Sequence, residues 1–136
     1  MIKRYFKDKK GEGYIDSAIL VLVFVLMMAF ALNVYPVFVA KSQLNHFANE
    51  IVREAEITGE IGISVANKIT KLKKESINPD SIKFDVKNIS GTTHIQLNES
   101  ISVTLEKKMD IGFFTFGSFP VTIQAKDSGV SEVFWK

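Results

Sequence analysis

Asp16 is the carboxylate whose position most needs a chemical reason. It closes the charged part of KKGEGYIDSAILVLVFVLMMAFALN, residues 9–33, and no charged residue follows it until Lys41. Near the N-terminus of a helix, a negative charge is favoured by the helix dipole. Pushed to the centre of an apolar layer, a carboxylate costs about 2.5–3.5 kcal/mol. A deep Asp16 would therefore demand a cationic partner or a proton. Its chemistry is electrostatic pairing, which points toward positioning and assembly.

The other reactive side chains form no comparable pattern. Cysteine is absent, so disulfides, thiolate metal sites and cysteine nucleophiles are excluded. His46 and His94 lie far apart in sequence, with Asp80, Asp85, Glu106 and Asp110 scattered through the C-terminal half. These make no acid/base pair, and no nucleophile-elbow, zincin, P-loop or dinucleotide motif occurs. No catalytic residue, cofactor or metal site is expected. Lys68, Lys71, Lys73 and Lys74 cluster, but Glu75 adjoins them and no aromatics interleave them. They are expected to form a solvated helix face, with no nucleic acid as partner.

Charge and hydropathy define the elements that hold Asp16. Lys3, Arg4, Lys7, Lys9 and Lys10 against Asp8 give residues 1–11 a charge of +4, in a chain of net charge +2, leaving −2 for the remainder. A basic stub before an apolar run orients that run with its N-terminus inside the cell. Ser17 to Ala40 is uncharged. As a helix it would span about 36 Å, enough for a bilayer core of about 30 Å. Pro36 predicts a kink in that helix. Beyond Lys41, the residues Leu44, Phe47, Ala48, Ile51, Val52 and Ala55 recur at spacings of three and four, an apolar helix stripe ending near Thr58.

Val65, Ile69 and Leu72 predict a second, shorter helix, and Asn78-Pro79-Asp80 predicts a turn. The apolar period then changes to two. Strands are expected in IKFDV, THIQL, ISVTL, FPVTIQA and VSEVFW, with turns at Ser90-Gly91, Asn98-Glu99 and Asp127-Ser128-Gly129. A sheet with one apolar face needs a cover, and the stripe of residues 44–55 is the evident one. The expected class is α+β: a long N-terminal helix, a short second helix and a small antiparallel sheet. The expected organisation is a basic leader over 1–11, a helix over 12–58 that spans a membrane at about 17–40, and a head over 59–136. Phe113, Phe114, Phe116 and Phe119 crowd one segment. They fit either a loop tucked into the head or an exposed patch that meets lipid or a neighbouring subunit.

Gly11-Glu12-Gly13-Tyr14-Ile15-Asp16, with the basic leader before it and the uncharged run after it, resembles the class III signal of type IV pilins. In that signal a prepilin peptidase cuts after a glycine, and an acidic residue stands fifth in the mature chain. The chain is more specifically similar to TadE-like pseudopilins, in particular to the TadE-like membrane proteins of Gram-positive mobile and conjugative elements. The similarity extends from Lys9 to about Ile61 and reappears in the C-terminal SGVSEVFWK. It implies cleavage between Gly11 and Glu12. It also implies that Asp16 neutralises the new α-amino group on Glu12, often across a subunit boundary. Asp16 is one methylene shorter than the glutamate usual at that position. The implied partners are the lipid bilayer, a prepilin peptidase-like protease, and other pilin-like subunits or assembly-platform proteins. The implied location is the cytoplasmic membrane, with the head outside.

Two other outcomes fit the same residues. Ala29-Phe30-Ala31 matches the A-x-A pattern of a secretory signal, which would release a soluble binding module starting at Leu32. Without any cut, the chain would be a single-pass anchor or scaffold of a secretion or conjugation complex.

Overall fold

The computed structural model describes residues 9–112 and 117–136, with side chains from Gly13 onward. Helix α1 runs from Lys9 to Thr58 and helix α2 from Ile63 to Glu75. Strands β1 (Ser81–Val86), β2 (Ser100–Gly112) and β3 (Ser118–Val130) form an antiparallel sheet in the order β1-β2-β3. The class is α+β, as the patterning predicts.

The 50 residues of α1 make a rod of about 75 Å. Its helical assignment continues through Pro36, whose ring removes the N–H that would otherwise bond the Leu32 carbonyl. The helix stops at Gly59, whose φ of +64° is the left-handed conformation that glycine adopts without a Cβ penalty. The Gly59 N–H donates to the Ala55 carbonyl at 2.8 Å, closing the last turn.

The stripe on the C-terminal half of α1 covers the sheet as expected. Leu44, Phe47, Ile51 and Ala55 are fully buried, together with Ile101, Val103 and Leu105 of β2 and with Ile123 and Ala125 of β3. Val65 and Leu72 bury the inner side of α2. Lys68 of α2 pairs with Glu50 of α1 at 2.7 Å. That hydrogen bond draws the Glu50 pKa down and the Lys68 pKa up. Asp80 finishes the short edge strand: its carboxylate accepts the Lys108 N–H at 2.8 Å, just beyond the last β1–β2 pair. This bond, helped by Lys107, lowers the Asp80 pKa.

Three strand-level expectations are corrected. THIQL forms no strand; it makes a single bridge, Glu60 to His94, inside an irregular connection. Only Ile95 of this segment is fully buried, too little to hold a strand on the core. VSEVFW forms no new strand either. Val130 ends β3, and the backbone N–H groups after it go elsewhere: Ser131 to the Glu99 carbonyl, Glu132 to the Glu56 carbonyl, and Trp135 to the Gln96 side chain. Finally, β3 runs straight through Asp127-Ser128-Gly129. Gly129 is there for close approach, because a Cβ would collide with the Glu56 carboxylate and Val52 of α1. Glu56 instead accepts the Val130 N–H at 3.1 Å.

The C-terminal tail is latched to the end of α1. The Trp135 indole N–H donates to the Gly59 carbonyl at 3.0 Å, and the Ile95 N–H donates to the same oxygen at 2.7 Å. The buried Ser131 hydroxyl donates to the Ile95 carbonyl at 3.0 Å. Helix end, loop and tail therefore share one hydrogen-bonded knot.

Two outcomes follow from this packing. Phe47→Ala should destabilise the head by about 3–5 kcal/mol in denaturant unfolding of the detergent-solubilised chain, whereas exposed Asn45→Ala should shift it by less than about 0.5 kcal/mol. Equal effects would mean that the stripe does not carry the core. In Gly59→Ala, the new Cβ would lie 2.6 Å from the Val133 Cβ in a left-handed backbone. The tail should detach, and emission from Trp135, the single tryptophan, should shift to the red. Unchanged emission would place the knot elsewhere.

Candidate membrane and assembly interface

From Ala18 to Met28, α1 is apolar on every side and exposed along its whole length. Tyr14, Leu20, Phe24, Met27 and Leu32 are all more than half exposed, and none of the most apolar stretch is buried inside the chain. A helix apolar all round belongs in lipid or against other helices. This one is long and apolar enough to cross a membrane. The hollows on its surface, one between Val23, Leu26, Met27 and Phe30 and another around Ala18 and Leu22, are the grooves between side-chain ridges that helix packing uses.

Gly11 and Glu12 lie in the first turns of α1, with Asp16 one turn further on. Asp16 is exposed and makes no ion pair among the described residues. Ser17 turns its hydroxyl back to the Tyr14 carbonyl at 3.0 Å, and Asp16 is the last charged residue before the apolar run. Asn33 does the same deeper in the run, donating to the Ala29 carbonyl at 2.9 Å, so its amide is partly satisfied by the helix itself. Pro36 is exposed on α1.

β2 and β3 are each 13 residues long, whereas β1 pairs only as far as Glu106, so a two-stranded hairpin projects past the rest of the sheet. Its register pairs Met109 with Val121, Ile111 with Phe119, and Gly112 with Ser118. Phe119 is 69% exposed. Phe113, Phe114 and Phe116 lie outside the described residues. Val121 and Ile123 face Val37 and Phe38 of α1 across an apolar groove, at whose rim the Lys41 ammonium donates to the Gln124 carbonyl. Periodicity alone did not reveal this contact. Ala29, Asn33 and Val37 are half-buried at spacings of four and extend the buried stripe toward the N-terminus. In an all-apolar run, such a stripe has no polar face to set it off.

Several of the remaining candidates have structural partners. Lys68 holds Glu50, and Lys71 lies 4.0 Å from Glu75. His46 is exposed on α1. The His94 ring stacks on Trp135 with centroids 3.8 Å apart, and its Nδ1 is 3.4 Å from Glu60. Among the described residues, no three histidine or carboxylate side chains converge as metal ligands would. The arrangement offers apolar surface, one carboxylate at its edge and a rigid head.

No curated protein and no solved structure matches the chain. The profile of a domain of unknown function, DUF4320, matches residues 19–136, which takes in most of the apolar run, the whole head and the latched tail. By that match the chain belongs to the DUF4320 family.

Proposed function

We propose that the protein is a membrane-held structural subunit of the pseudopilin kind, processed after Gly11 and assembled through α1 in a Tad-type or conjugation-associated envelope apparatus. The observation that carries this reading is the division of labour within α1. Its C-terminal half is the core of the head, while its N-terminal half presents bare apolar surface with a single carboxylate at the lip. A cut after Gly11 would put a new ammonium group on Glu12, about 6 Å along the axis from Asp16. Two opposite charges among packed apolar helices offset each other's desolvation only when they pair. Pairing between neighbouring chains would also fix how far one helix slides along another. The protein's role in this reading is mechanical, and its head contacts other subunits or a surface.

The test is the N-terminus of the membrane-extracted protein in its native host, by intact mass and terminal peptide sequencing, together with Asp16→Ala. A start at Glu12, with Asp16→Ala still inserted in the membrane but failing to assemble, is the expected result. A start at Met1 with a silent Asp16→Ala would make the chain an uncut anchor or scaffold. A start at Leu32 would make it a secreted module and remove the membrane role.

A further inference from the structure

Charge is sorted along the axis of α1. Only Gly59 to Gly62 separate α1 from α2, and so short a connection folds two helices back antiparallel. Lys68 of α2 meets Glu50 of α1 at 2.7 Å. Counted from that pair at equal rise, Lys73 and Lys74 come level with about residues 45 and 44 of α1. β2 also runs back toward the rod. Its Glu106 pairs with Gln124, whose carbonyl accepts from Lys41. Its Lys107 and Lys108 pair with Ile123 and Thr122, which border one groove with Val37 and Phe38. Lys41, Lys73, Lys74, Lys107 and Lys108 therefore stand within a band of about 12 Å along α1, where the uncharged run ends.

Most carboxylates in this band are engaged. Glu75 lies 4.0 Å from Lys71, Asp80 3.6 Å from Lys107, and Glu106 3.5 Å from Lys83. Lys41, Lys73, Lys74 and Lys108 are exposed and have no carboxylate partner among the described residues. Against them stands Asp110, two residues beyond Lys108 and likewise without an ion pair. The four lysines sit on different sides of the head. Lys41 lies beside β3, Lys73 and Lys74 lie on α2, and Lys108 lies on the sheet face opposite the buried Ile101, Val103 and Leu105. The far end of the head has the other sign. There Glu54, Glu56, Glu60, Glu99 and Glu132 stand against Arg53, Lys87 and Lys136.

From this sorting we infer that the rod-facing end of the head is a basic collar, which binds the phosphates of anionic phospholipids around the point where α1 leaves the bilayer. This rests on the reading of α1 as a membrane helix. About 20 residues, Gly13 to Leu32, cover an apolar core of about 30 Å. Val37 to Lys41 then lie in the headgroup layer, and the lysines level with them reach lipid phosphates. Lys107 and the unpaired strand edges beside it stay among headgroups and water, outside the hydrocarbon. Cations drawn from α1, α2 and β2 at one level suit a flat anionic surface that α1 crosses. A neighbouring head, whose complementary charge is its far acidic end, would meet only one side of the collar.

The test is lysine acetylation read by mass spectrometry, on the full chain at one copy per lipid nanodisc, with Trp135 emission confirming the folded head. Discs of phosphatidylcholine are compared with discs that also contain phosphatidylglycerol. At low salt, phosphatidylglycerol should slow acetylation of Lys73, Lys74 and Lys108 about fivefold, the factor that ~1 kcal/mol per lysine at an anionic surface amounts to. Molar salt should abolish the difference. Lys87, at the far end, should react alike in both discs. Equal rates at Lys73, Lys74 and Lys108 in both discs, with slow amide exchange over residues 18–28, would overturn the inference and leave the anchor intact. Fast exchange over residues 18–28 would overturn the anchor and the inference together. Slowing that survives molar salt would deny the phosphate contact, and slowing that needs several copies per disc would make a neighbouring head the occupant; either result overturns the inference.

Discussion

A single helix serves two apolar environments, and the rest of the structure depends on that sharing. The small sheet has one apolar face, and α2 buries only Val65 and Leu72 fully. Without Leu44, Phe47, Ile51 and Ala55 of α1, the head would have no cover for β2 and β3. The same helix then continues without interruption into an apolar rod that nothing in the chain surrounds. The head is therefore fused to the rod through its own hydrophobic core, with no linker between. Force or rotation applied to the rod reaches the sheet directly.

The contacts around α1 reinforce this coupling at both ends of the head. At its far end, the Gly59 carbonyl gathers the Ile95 N–H and the Trp135 indole, so the helix terminus also fixes the loop and the tail. Toward the rod, the β2–β3 hairpin runs alongside α1, with Lys41 tied to the Gln124 carbonyl and Val121 set against Val37. Between these points, Glu56 holds the Val130 N–H and Asn49 holds Asp127. A head seated this way has a defined rotation about α1.

Much of the fold was legible because its periods differ. The 3.6-residue stripe of residues 44–55 and the two-residue alternation of ISVTL and FPVTIQA each have polar neighbours to contrast with. The errors arose where that contrast fails or where tertiary contacts override it. THIQL and VSEVFW alternate like strands, yet their backbone groups bond to the helix end, to a loop and to the Gln96 side chain. Asp127-Ser128-Gly129 has the composition of a turn, but Gly129 is required by the approach of Glu56. The meeting of β3 with Val37 and Phe38 was invisible, because these sit in a run where nearly every residue is apolar. Asp16 was legible as an anomaly. In the proposed reading its partner is a charge on another chain, which a single chain does not contain.

The apolar rod and the stripe that covers the head belong to one continuous helix. Amide hydrogen exchange on the full chain in lipid nanodiscs, resolved along residues 14–58, tests it most directly. Unbroken protection is expected from the apolar run through Pro36 into the buried stripe. A fast-exchanging segment between Asn33 and Lys41, flanked by protected residues on both sides, would contradict it. The head would then swing on a hinge instead of being carried by the rod.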